Sequence, residues 1–308
     1  MNTISIYAGQ GTVRSNLFAA GRVFLAGTAL GTGLNAASIN RSDVMVADSQ
    51  ATIYAVSAQT QARVIIAQQG YLNQPYDLAR KTDGNLIVSD TGSQSIVQVN
   101  PSTGQQSLIA QGGALGVPYG LDVNAQNKIF VANSSAILCV AADTGVVQSF
   151  AQGGLLQVPL DVAVGPDGSL YVADAVAGII RIDAVTRQQT LLAQGGFLHS
   201  PTGITTDGKR TAYVVDGTGH SLVTVDLQTG AQKLASSAGL FVTPVGIAVG
   251  SGGTTLVSDP DALNYNGAII AVAQDGGQTV IAQGSGDLVN ARGIVIVPAF
   301  VDSLLKAH

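Results

Sequence analysis

Short apolar runs, each closed by an acidic or amide residue, recur along this chain. VMVAD ends at Asp48, LIVSD at Asp90, IFVAN at Asn133, LYVAD at Asp174, AYVVD at Asp216 and TLVSD at Asp259. Period-two or continuous apolar runs of this length, set between turn residues, predict β-strands. The stretch after Ala151 gives one whole unit. LDVAV (160–164) leads through a GPDG turn to SLYVAD (169–174), then to GIIRID (178–183) and QQTLLA (188–193). Four such strands in a row predict an antiparallel meander, named here A to D from first to last.

The unit repeats. AQQG begins at Ala67, AQGG at Ala110, Ala151 and Ala193, a weaker SSAG at Ser236 and AQGS at Ala282, with AGTA earlier at Ala26. A period in the forties with four strands per unit is the pattern of a β-propeller blade. Strand A follows Pro75, Pro118, Pro159, Pro201 and Pro244, and six complete units run from about residue 35 to residue 282. One further A strand, GIVIV (293–297), then remains at the C-terminal end. Residues 4–27 align with strands B, C and D of the following unit. The expected fold is therefore all-β: a seven-bladed propeller of four-stranded antiparallel blades spanning 1–308 as one domain. Strand 293–297 would close the ring against residues 3–7, leaving no free edge. Six blades with a loosely attached N-terminal segment is the alternative.

Composition narrows the function classes. Hydrophobic residues make up 46% of the chain and charged residues 11%, with 38 glycines, which suits stacked sheets and not disorder. The net charge is −5 and no Lys/Arg cluster occurs, so nucleic acid is not expected as a partner. The single Cys139 rules out an intrachain disulfide framework and is read as a small buried hydrophobe. No signal-peptide pattern opens the chain and no apolar stretch reaches bilayer length, so a cytoplasmic monomer without membrane contact is expected. All acidic residues are Asp, and Trp is absent. Glutamate is therefore unavailable as base or ligand, and indole stacking is unavailable too.

The pattern in PLDVAVGPDGSLYVADAVAGIIRID resembles the NHL-repeat type of propeller, over nearly the whole chain. The wider group includes gluconolactonase-like hydrolases, strictosidine-synthase-like proteins, amidating lyases and the streptogramin lyase. The resemblance implies fold more than activity. A gluconolactonase-like metal site would need a Glu, and an amidating-lyase zinc site would need more histidines than His199, His220 and His308. No family's catalytic set carries over.

Candidate chemistry must come from residues that break the repeat at the end bearing the D–A and B–C connections. Loop residues Leu72, Leu115, Leu156, Leu198 and Phe241 recur as plugs between blades. The Asp ending each strand B recurs as a turn cap. The position at the channel mouth reads Ala36, Tyr76, Tyr119, Leu160, Thr202, Val245 and Arg292 around the expected ring. The repeat Gly next to it becomes Asp77 and Asp161, and Asp122 follows close by. In one reading the three carboxylates act as general base, or hold a divalent cation (Ca or Mg). In the other, each carboxylate binds backbone amides of a neighbouring blade. No cofactor is required by the chain. His199, His220, Asn264 and Tyr265 are candidate substrate contacts on the same end, the last two within the long loop DPDALNYNG. The function expected is a small-molecule lyase, hydrolase or cyclase. Asp77, Asp122 or Asp161 would be its base, Tyr76 or Tyr119 its proton donor and Arg292 its anion stabiliser. The alternative is a non-catalytic binding or protein-interaction platform using the same face.

Overall fold

A computed structural model describes residues 6–7, 12–13, 42–58, 60–250, 253–284 and 288–298. Six four-stranded antiparallel sheets stand around a central channel. Their inner strands are Ala291–Pro298, Pro75–Arg80, Pro118–Val123, Pro159–Val164, Pro201–Thr206 and Gly246–Val249, which define blades 1 to 6. Each predicted strand B is present and ends at the residue expected of it, from Asp48 round to Asp259.

The blade count is six, the alternative reading, and the ring closes differently from the seven-bladed expectation. Strand Ala291–Pro298 pairs with Ser42–Asp48, placing Ile294 opposite Val46 and Ile296 opposite Val44. Blade 1 is therefore one C-terminal strand plus Ser42–Asp48, Thr52–Ser57 and Arg63–Gln68. The closing device was legible; its partner was misplaced by one unit. The reason is strand quality. IVIV at 294–297 is β-branched throughout, whereas GLNAASIN before Arg41 is rich in small and turn-forming residues. Of the residues expected to receive the C-terminal strand, Ile6–Tyr7 pairs with Thr12–Val13, and 3–5 lie outside the described residues. Ala36 lies outside the described residues.

Apolar faces of neighbouring blades pack on each other. Between blades 1 and 2, for example, Met45 and Ile53 meet Leu86 and Val88, all essentially without exposure. Leu72, Leu115, Leu156, Leu198 and Phe241 are all buried, as plugs between blades must be. Cys139 is only half-buried, against the fully buried expectation. It lies opposite Phe130 on an outer strand, and burial pushes its thiol pKa up.

Two polar latches hold the D–A loops. The Asp ending strand B accepts backbone N–H groups from both the loop before strand A and the B–C turn. Asp174, for instance, takes Gln157, Val158, Val176 and Ala177. A glutamine opening strand D accepts a second loop N–H, as Gln189 does from Leu155 and Gln232 from Phe197. Loop 112–117 has neither acceptor. Asn133 replaces the Asp and donates to the Leu115 carbonyl, and Val147 replaces the Gln.

Deleting residues 291–308 would expose the whole edge of Ser42–Asp48 and open the ring. The truncated chain is expected to lose its single cooperative thermal transition by circular dichroism. Retention of the full-length transition would contradict the six-bladed closure.

Candidate functional site

The inner strands begin at the channel mouth with a bulge, where register shifts between Pro75 and Asp77 and at matching places in blades 3, 4 and 5. Such a bulge turns one residue per blade toward the lumen. Because six blades close the ring, Arg292 of blade 1 stands directly beside Tyr76 of blade 2, with Tyr119 next in blade 3. A seven-bladed ring would have set another blade between Arg292 and Tyr76. The Tyr76 and Tyr119 rings meet edge to face, centroids 5.4 Å apart at 70°. Leu160, Thr202 and Val245 occupy the other half of the mouth, so one side is cationic and phenolic and the other largely apolar.

Tyr76, Tyr119 and Arg292 share the wall of an open cavity of about 510 Å³ with Gln74, Ser49 and Thr91. Arg292 is partly buried, and its guanidinium has no ion pair or hydrogen bond among the described residues. Burial pushes the Tyr76 phenol pKa far up, opposed by Arg292 and reinforced by Asp161, Asp77 and Tyr119. Tyr76 therefore holds its proton at neutral pH.

The three aspartates lie below this cavity. Tyr76 forms part of the wall of a much smaller space, about 10 Å³, that also touches Asp77 and Asp161. Each carboxylate bridges to the next blade. Asp77 accepts the Leu121 N–H at 2.8 Å, Asp122 the Val164 N–H at 2.8 Å and Asp161 the Ile204 N–H at 2.7 Å. Asp122 and Asp161 also accept the N–H of the residue that follows them. This is the second of the two arrangements expected for them. Around the ring the position reads Gly293, Asp77, Gly120, Asp161, Gly203, Gly246; Gly293 and Gly120 make room for a neighbouring carboxylate, Gly203 and Gly246 for the backbone carbonyls of Val245 and Arg292. A Cβ on Gly120 would lie 2.6 Å from Asp161 Cα, and one on Gly293 would collide with Asp77. Hydroxyls continue the chain of links: Thr202 donates to the Pro244 carbonyl and Ser258 to that of Arg292.

Burial dominates the protonation of these groups. It pushes Asp77 up to about 7 and Asp122 up to about 6, against the backbone N–H groups that favour the anions. Asp161 is pushed well above the carboxylate range by burial and then by Asp77. Among the described residues, no three His, Cys or Asp side chains are placed to hold a metal ion.

The other predicted residues lie apart from the cavity. His199 uses its backbone N–H on Asp216, and the His220 ring bonds the Val242 carbonyl. Asn264 and Tyr265 sit in the short turn Ala262–Tyr265, with Tyr265 76% exposed. Ser49, Gln74 and Thr91 were not anticipated. Their signal was position: Ser49 and Thr91 follow the strand-B Asp, and Gln74 precedes Pro75.

No protein-family model matches the chain, and no curated protein sequence matches it. Solved structures do resemble it. The nidogen/laminin complex contains a chain with TM-score 0.70 and 19% identity, covering 83% of this chain and 98% of that one. A catalytically inactive virginiamycin B lyase from Staphylococcus aureus, solved with quinupristin, gives 0.60 and 14%, covering 84% and 90%. TolB from Acinetobacter baumannii gives 0.66 and 14%, covering 85% and 68%. The chain shares a β-propeller fold with these proteins, and at such identities the likeness reaches no further.

Raised carboxyl pKa values make folding favour the protonated forms, so this stability is complete at low pH and is lost as pH rises through about 6 to 7. Asp183 and Asp226 act oppositely. Asp183 is held at about 2 by backbone N–H groups of Thr186 and Val185, and Asp226 is held low by Arg210. Their contribution fades only in strong acid. The urea midpoint is expected to rise from pH 8 to pH 5 and to fall again below pH 4. A midpoint that rises monotonically with pH would contradict the assignment. Gly120→Ala, which drives a methyl into Asp161, should destabilise the protein by about 2 kcal/mol or more in the same assay. An unchanged midpoint would contradict the close approach.

Proposed function

We propose that the channel mouth is a binding site for an organic anion. The observation that carries this is the partly buried guanidinium of Arg292, which has no ion pair or hydrogen bond among the described residues, in the wall of the 510 Å³ cavity. A half-buried cation without a partner is unfavourable unless a ligand supplies the counter-charge. A planar carboxylate can take two parallel N–H bonds from it. Tyr76, Tyr119, Gln74, Ser49 and Thr91 offer further hydrogen-bonding groups, and the two rings offer a face for an apolar body. The three aspartates below are occupied with backbone amides, which supports binding over turnover. Two of the similar structures are complexes, one of nidogen with laminin and one of a lyase with quinupristin.

A second reading rests on Tyr76. Its proton-holding phenol touches both the cavity and the space shared with Asp77, whose carboxyl titrates near neutrality. That supports lyase-type proton transfer, with Tyr76 as donor and Asp77 behind it. Incubation with quinupristin, followed by chromatography and fragmentation mass spectrometry, tests it: a new ring-opened product of unchanged mass that Tyr76→Phe abolishes would favour this reading over plain binding.

For the binding reading, benzoate is expected to bind one to one by calorimetry while benzylamine does not. Arg292→Ala should abolish benzoate binding and leave the melting temperature within about 2 °C, because no protein group loses a partner. Equal benzoate binding by the wild type and Arg292→Ala would overturn the proposal.

A further inference from the structure

Charge is divided between the two ends of the propeller. Among the described residues, the D–A and B–C connections at the end bearing the cavity contain Asp261 as their only charged residue. The A–B and C–D turns at the opposite end hold ten, among them Lys81, Asp83, Asp167, Arg187, Lys209 and Arg210. Six exposed apolar side chains lie on the end with little charge, while Val146 and Val185 are exposed at the opposite end and Leu108, Leu191 and Leu234 on outermost strands. Tyr71, Val158, Val176, Phe197, Val242 and Tyr265 are between 38% and 76% exposed, in connections of blades on both sides of the channel. Nothing in the packing of a blade requires these residues to be apolar, since none of them reaches a core. A protein that exposes such residues on an end with little charge presents a contact surface.

We propose that the anion bound at Arg292 is carried by a partner polypeptide: an Asp or Glu side chain, flanked on both sides by apolar residues, that crosses this end of the channel. The inference rests on the anion-site reading and adds its bearer. A free metabolite would fit within 510 Å³ and leave the apolar ring unused. Apolar residues on opposite sides of the mouth match a chain that passes over it, with the acid in the middle. A chain ending at Arg292 would engage one side only. The charges complement in the same way, a recessed cation in the wall of the mouth inside an annulus that carries little charge. An anionic membrane fits less well, because the annulus lacks the Lys and Arg that such a surface attracts.

The test is a selection of a displayed library of random twelve-residue peptides on the full-length protein. The expected consensus is one acidic residue between apolar or aromatic ones. A synthetic peptide of that consensus, and the same peptide with the acid changed to its amide, are then titrated by fluorescence anisotropy. The acidic form should bind about tenfold or more tightly than the amide. Arg292→Ala should weaken the acidic peptide by a similar factor. The double variant Phe197→Ser, Val242→Ser, at exposed positions tolerant of change, should weaken the peptide but leave benzoate binding intact. Benzoate binding without an acidic consensus would overturn the polypeptide bearer and leave the anion site standing. Loss of both benzoate and peptide binding in the wild type would overturn the anion site itself. Two other outcomes would also overturn the proposal: burial of the same ring in a dimer seen by sedimentation, or retention on phosphatidylcholine vesicles that the double variant abolishes.

Discussion

The pairing of Ala291–Pro298 with Ser42–Asp48 joins strands almost 250 residues apart, and the geometry of the channel follows from it. Ile294 and Val46 are buried opposite one another, and their neighbours complete the cluster that blade 1 shares with blade 6. Without the pairing, one edge of the ring would present unsatisfied backbone groups, and the inner strands would have no fixed circumference. With it, the circumference is six strands. Six is what sets Arg292 beside Tyr76 and makes a single cavity from residues of blades 1, 2 and 3.

Inside that circumference carboxylates link three pairs of neighbouring inner strands. Asp77, Asp122 and Asp161 each carry a hydrogen bond across a blade boundary, from a backbone N–H that favours the ionised carboxylate. Burial opposes the charge that makes those bonds strong, and the raised carboxyl pKa values express that conflict. Gly293 behind Asp77 and Gly120 behind Asp161 are its steric counterpart. A carboxylate reaching toward the next blade leaves room for nothing larger than hydrogen on the glycine behind it. The same aspartates that invite a catalytic reading therefore have a structural task, and the mouth above them is left with a cation and no base of its own.

Much of the fold was legible because blade strands are local. Their apolar runs, the Pro before strand A and the Asp after strand B mark the unit boundaries with little dependence on context. The blade count was not local. It depends on which strand pairs with Ser42–Asp48, and several segments carry the period-two pattern that such a partner requires. Site residues were legible where they depart from the repeat, as Tyr76, Tyr119 and Arg292 do. Ser49, Thr91 and Gln74 escaped because small polar residues at connections are ordinary, and only the closed ring turns them toward one cavity. His199, His220, Asn264 and Tyr265 stand out by type or loop length, but neither property carries a side chain inward.

The central claim is the closure, and the nuclear Overhauser effects between backbone amide protons of the deuterated, full-length protein test it most directly. Cross-strand contacts from residues 294–297 to residues 43–46 are expected, in antiparallel order. Contacts from 294–297 to residues 3–7 would instead establish a seventh blade, separate Arg292 from Tyr76 and contradict the account.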